Sequence, residues 1–206
     1  MNWNNFLEEF KNDILPIYEK HEATFDTYNI HGRLHIARSI VFAEFMARYY
    51  NDLGIKVDFN AIRYAVAFHD AGRQGSGVDL WEKDSAKLCF TYLSNKYDSD
   101  YCTYVSNLII KKLDNSDTNK KIVTDADVLE IMRPVCGHGG IFGFRPEFLK
   151  FLPCKTQLRD KLIEDAWKFI KYTEDNQDMF IKNNHLHQIL NILEKNELKL
   201  KILGGF

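Results

Sequence analysis

A chain of 206 residues, 45% of them hydrophobic, is long enough for one domain with a sizeable core. Its formal net charge of −2 gives no electrostatic reason to expect a nucleic-acid polymer or an anionic membrane as partner, and no stretch approaches the ~20 consecutive apolar residues of a membrane span. The opening Met1-Asn2-Trp3-Asn4-Asn5 has no basic segment followed by an apolar one, so the expected location is cytoplasmic, with export by a route that needs no such leader still compatible. Cys89, Cys102, Cys136 and Cys154 are widely spaced and form no C-x-x-C pair, which reads as free thiols in a reducing compartment. Four prolines and few alternating β-branched runs point to an all-α fold.

In chain order, residues 3–20 read as a first helix, with Phe6, Phe10, Ile14 and Ile17 on one face and Pro16 expected to kink or end it. Residues 21–30 are a connection. A helix apolar over much of its circumference follows, about 32–50, and should be central. After a turn at Gly54, Asp58 is a plausible N-cap for a helix that ends at His69 and buries a face carrying Ile62, Val66 and His69. A glycine-bearing loop, 74–79, leads to helices over 81–94 and 100–113. Residues 114–120 read as a polar turn, 125–132 as a short helix that stops before Pro134, and 136–144 as an irregular glycine-rich loop. Two closing helices, 156–172 and 177–194, complete a single-domain bundle over 1–206, whose motif-bearing core spans about 30–133 and whose remainder, 134–206, holds the loop and the closing helices.

The chemistry concentrates in three places. His31 and His35 stand four residues apart, so both imidazoles can face one way on a helix. His69-Asp70 sits at the end of the apolar segment, where unpaired charge would cost several kcal/mol and a partner is needed. Asp125 and Asp127 open a downstream helix; Asp125 suits an N-cap, while Asp127 keeps company with Val128 and Ile131. Two imidazoles and two carboxylates on three apolar helices make a set suited to one divalent ion such as Mn²⁺, Fe²⁺, Zn²⁺ or Mg²⁺ with open water positions.

Through His35 with Arg38, His69-Asp70 and Ala126-Asp127-Val128-Leu129, the stretch from about residue 30 to 132 resembles the HD-domain phosphohydrolase superfamily. That resemblance implies a helical bundle of the HD-domain type. It also implies a metal held by His35, His69, Asp70 and Asp127, and hydrolysis of phosphomonoester or phosphodiester bonds. Members with two metals often carry further histidines before the last aspartate; Lys111 and Lys112 stand there instead, which favours a single metal with lysine charge available for phosphate.

A narrower likeness joins His31-Gly32-x-x-His35, His69-Asp70-Ala71-Gly72-Arg73 and Asp79-Leu80-Trp81-Glu82 to the phosphodiesterase domain of SidE-type effectors. It implies a metal-independent His/Glu phosphodiesterase acting on ADP-ribosyl or phosphoribosyl groups on protein, with His31 as acid or nucleophile and Glu82 as its partner. That family's histidine before the Asp-Ala-Asp run is replaced here by Thr124.

The reading is therefore a metal-dependent phosphohydrolase or phosphodiesterase for a nucleotide-like or phosphoribosyl substrate, either a small phosphorylated molecule or a phosphoribosylated protein. Arg38, Arg73 and Lys111 or Lys112 are expected to neutralise phosphate, Trp81 to stack on a base or ribose, and Glu82 or Asp79 to act as general acid or base. His138 is a candidate for lining the cleft, while His185 and His187 are expected to have no catalytic part. An inactive nucleotide-binding or helical interaction domain is the other class compatible with the chain.

Overall fold

The computed structural model describes residues 1–26, 30–76, 78–110, 116–130, 172–173, 175–182 and 186–187. Eight α-helices have their bounds among these residues: α1 (Trp3–Glu9), α2 (Leu15–Thr24), α3 (Arg33–Asp52), α4 (Phe59–Phe68), α5 (Glu82–Leu93), α6 (Ser99–Ile109), α7 (Thr118–Glu130) and α8 (Gln177–Lys182). No strand occurs among the described residues.

The axis of the bundle is α4. All eight residues from Ala61 to Phe68 are buried, whereas the sequence placed only one face inward. This is possible because α3, α5, α6 and α7 all pack against it. Asp58 caps it as expected, Oδ1 accepting from the Asn60 and Ala61 amides at 3.0 Å each. The one charged side chain in its interior, Arg63, is matched by Glu44 of α3 through two 2.7 Å contacts, so the buried charge is paired.

Pro16 neither ends nor breaks the first helix. A π-helical segment (Phe10–Ile14) joins α1 to α2, and Pro16 lies in the first turn of α2, where the missing N–H costs least. The helix then continues past the expected end at residue 20 to Thr24. Tyr18 of α2 donates to the Ala67 carbonyl at 2.7 Å, satisfying one of the orphan carbonyls at the end of α4 and fixing α2 beside it.

Two other boundaries differ. α6 stops at Ile109, and Lys120, 2% exposed, reaches back so that Nζ donates to the Ile110 carbonyl at 2.5 Å. α7 begins at Thr118, seven residues before the expected start. The polar residues 114–120 look like a turn in sequence, but Lys120 is consumed in closing α6, and Asn119 and Asp117 form the helix start, the Asn119 amide donating to Asp117 Oδ1 at 2.7 Å. Asp125 is therefore helix interior and buried, not an N-cap.

No described helix is long and apolar enough to cross a membrane. α3 has the length, at 20 residues, but it carries Arg38, Glu44 and Arg48. The two described cysteines, Cys89 and Cys102, are free and buried.

Candidate metal centre

Four elements deliver the polar cluster. α3 brings His35, while His31 lies in the bend just before that helix and not on the shared helical face expected of it; α4 ends so that His69 is its C-cap; Asp70 follows in the turn; α7 brings Asp127 and Glu130 one turn apart. The turn is tight because Gly72 lies against the start of α5: its amide donates to Ser85 Oγ at 2.9 Å, and a Cβ there would sit 2.3 Å from the Ser85 nitrogen. Glycine is required by this approach, not by backbone conformation.

At the centre, His35 Nε2 and His69 Nε2 face each other at 3.2 Å. Asp127 Oδ1 lies 3.3 Å from His69 Nε2 and 3.6 Å from His35 Nε2. Asp70 Oδ2 lies 3.4 Å from His35 Nε2 and 3.7 Å from His69 Nε2. Donor atoms bound at about 2.1 Å to one ion are about 3.4 Å apart at a tetrahedral angle and about 3.0 Å apart when cis in an octahedron. The observed spacings, 3.2 to 3.7 Å, lie near or slightly above those edges. His35, His69 and Asp127 form one buried group able to hold a metal ion; His31, His35 and Asp70 form a second, overlapping one.

The rings are also presented correctly. His69 Nδ1 is 2.7 Å from the Val66 carbonyl, an acceptor only, so Nδ1 carries the proton and donates. His35 Nδ1 is paired with Glu130 Oε2 in the same way. With Nε2 deprotonated, each ring would direct a lone pair at the common point, the arrangement that an acceptor on Nδ1 imposes on metal-binding imidazoles.

The charges around this point are balanced within the cluster itself. Asp70, Asp127 and Glu130 are buried within reach of two guanidiniums, Arg38 and Arg73. Burial works against charge on His35, yet Glu130 and Asp70 outweigh it and hold this imidazole up to about 9. His69 is likewise raised, burial being overcome by Asp70 and Asp127. Asp70 is held well below the usual carboxylate range: burial opposes its ionisation, but His69, His31 and His35 prevail. The metal-free cluster thus retains protons that a divalent ion would replace.

Several sequence expectations are redistributed. Arg38 does not face a substrate: it is 1% exposed, with Nε and Nη2 on Glu130 Oε1 at 2.8 and 2.6 Å and Nη1 on Thr173 Oγ1 at 3.1 Å. The i+3 spacing from His35 that marked Arg38 sends it toward α7, where a buried carboxylate claims it. Arg73 is also internal, its side chain 3% exposed. Its Nε donates to Asp70 Oδ1 at 3.1 Å, Nη1 donates to the Gly75 carbonyl at 3.3 Å, and its guanidinium lies 5.4 Å from the Trp81 ring. It braces Asp70 and the loop in place of the phosphate contact expected for it, and Trp81 is engaged by that cation. Asp79 lies 4.0 Å from Arg73 Nη2, at the rim of the same loop. Glu82 opens α5 next to Trp81 and is half-buried.

His31 occupies the open side. Its Nδ1 is 2.7 Å from Asp70 Oδ2, and its side chain is 20% exposed while Asp70 is buried. Asp26, at the end of α2, fixes this segment by accepting from the Ile30 and His31 amides at 2.9 and 3.0 Å. Asp125, the alternative to Asp127, belongs to neither metal-capable group. His187 is exposed. Lys111, Lys112, His138 and His185 lie outside the described residues.

Glu130 and Thr173 were missed as site residues. Glu130 had a signal, since it stands three residues after Asp127 on the same helical face; Thr173 had none. No protein-family model matches the chain, and neither a curated protein nor a solved structure matches it.

Proposed function

We propose that this chain is a metal-dependent phosphohydrolase or phosphodiesterase of the HD-domain type, acting on a nucleotide-like or phosphoribosyl substrate. The observation that carries the reading is the pair of buried imidazoles with Nε2 atoms 3.2 Å apart, each held by an acceptor on Nδ1, with Asp70 and Asp127 alongside. His35, His69, Asp70 and Asp127 would hold the ion. A divalent ion in such a set lowers the pKa of a bound water and polarises a phosphoryl oxygen.

The chain's own residues supply the rest. His31, oriented by Asp70 and partly open to solvent, moves a proton to or from the reacting oxygen through Nε2. Arg73 holds Asp70 in place through its 3.1 Å contact. With Arg38 and Arg73 committed to carboxylates, phosphate charge falls to other cations, of which the sequence points to Lys111 and Lys112.

The His31–Asp70 contact also favours a second reading, the metal-independent phosphodiesterase in which His31 itself is the acid or nucleophile. One experiment separates them. Protein purified without chelator is assayed for metal, then screened against phosphorylated metabolites and nucleotides with several divalent cations. About one ion per chain, activity lost with chelator, and loss of both in Asp127→Asn support the first reading. Full activity in chelator with no metal taken up refutes it and supports the second.

A further inference from the structure

Glu130 has two oxygens with two different duties. Oε1 accepts from Arg38 Nε and Nη2 at 2.8 and 2.6 Å; Oε2 faces His35 Nδ1. Arg38 passes the contact on to Thr173 at 3.1 Å. Every member is buried: His35 and Arg38 at 1%, Glu130 and Thr173 at 0%. The four residues come from α3, from the last residue of α7, and from a segment far downstream in the chain.

We infer that Glu130, locked in orientation by Arg38, is a positioning residue that compels His35 to present Nε2 as its metal-binding atom. This rests on the metal reading above. An imidazole bound to metal through Nε2 carries its proton on Nδ1 and must find an acceptor there. Glu130 Oε2 is that acceptor. It cannot turn away, because Arg38 has only donors and occupies Oε1. Arg38 thereby serves the metal centre from outside it, without touching substrate.

The logic predicts an unusual result for an isosteric change. In Glu130→Gln the amide has one acceptor and one donor end. Arg38 claims the oxygen, so the NH₂ group is turned toward His35 Nδ1, where two donors now oppose each other. Metal affinity should fall roughly 10–100-fold, the range for loss of the hydrogen-bond partner behind a metal ligand. Adding Arg38→Met should reverse part of that loss. With the Arg38 donors removed, the amide can turn to accept from His35, and the double substitution removes one buried charge of each sign.

The test uses the full chain and zinc alone. Zinc affinity is measured by chelator competition for wild type, E130Q and the E130Q/R38M pair, with circular dichroism to verify folding. In zinc-loaded wild type, long-range ¹H–¹⁵N spectra identify which His35 nitrogen carries the proton. The expected results are a proton on Nδ1, weaker zinc binding in E130Q, and recovery toward the wild-type affinity in the double variant. If wild type binds zinc and E130Q binds it equally, or if the double variant binds no better than E130Q, the positioning role is overturned while the metal reading stands. If either variant fails to fold, the NMR result decides: a proton on His35 Nε2 overturns the proposal. Absence of zinc binding in wild type overturns both.

Discussion

Gly72→Ala tests the closest approach in the fold, and its cost can be worked from the geometry. A Cβ at Gly72 would lie 2.3 Å from the Ser85 nitrogen, 2.6 Å from the Asp84 carbonyl carbon and 2.7 Å from Asp84 Cβ. Two of these atoms are backbone, so no rotamer change relieves the clash. To restore even the 3.0 Å that real Cβ atoms respect, the start of α5 must retreat by about 0.7 Å. That motion would lengthen the 2.9 Å bond from the Gly72 amide to Ser85 Oγ and draw the turn away from Asp70. Overpacking against backbone belongs in the upper part of the ~1–3 kcal/mol range. For a chain of this size, ~2–3 kcal/mol corresponds to a fall in Tm of roughly 4–12 °C.

The measurement is a thermal melt in chelator, so that lost metal binding does not contribute. Two further glycines calibrate it. Gly75→Ala meets only the Trp81 ring edge at 3.4 Å and should stay within about 0.5 kcal/mol of wild type. Gly54→Ala meets nothing within 4 Å but adopts φ +78°, so it should lose about 1 kcal/mol to backbone strain alone. A Gly72→Ala melt within 2 °C of wild type would refute the steric argument.

Two predictions concern protons. Glu9 Oε2 accepts from Lys96 Nζ at 2.6 Å, Tyr64 at 2.7 Å and Tyr92 at 3.2 Å, and although burial opposes its charge, these donors lower its pKa below 4.5. Its stabilising effect is therefore whole above about pH 4.5 and is lost as pH falls through the lowered folded value, so Glu9→Gln should be less stable than wild type at pH 7 and converge with it near pH 3. A difference in denaturation midpoint that is the same at both pH values would contradict this. At the metal centre, burial disfavours the charged form of His35 but Glu130 and Asp70 raise it to about 9, so its contribution to metal-free stability is whole below about pH 6.5 and lost as pH rises through 9. Metal-free protein should lose stability between pH 7 and 10, and zinc binding at pH 7 should release at least about one proton, read by calorimetry in buffers of different ionisation enthalpy. Zero release would show that His35 is neutral before the metal arrives.

Much of this protein is legible in the residues themselves. Local signals act over a few positions, so the capped helix from Asp58 to His69, the apolar run of α3 and the inward faces of His69 and Asp127 follow from spacing, while the grouping of His35, His69, Asp70 and Asp127 came from the family resemblance. Pairing could not be read that way. Arg38 and Arg73 are cations whose destinations depend on which carboxylate is nearest in space; Glu130 is 92 residues from Arg38 and takes it, while Asp70 holds Arg73. Asp125 reads as an N-cap in the sequence, and only the start of α7 at Thr118 shows that it is helix interior like Asp127. Spacing along the chain is enough to bury the apolar faces and the His69-Asp70 pair, whereas the burial and pairing of Arg38, Arg73 and Glu130 come from the tertiary fold, because a buried charge is satisfied by the geometry around it and not by its neighbours along the chain.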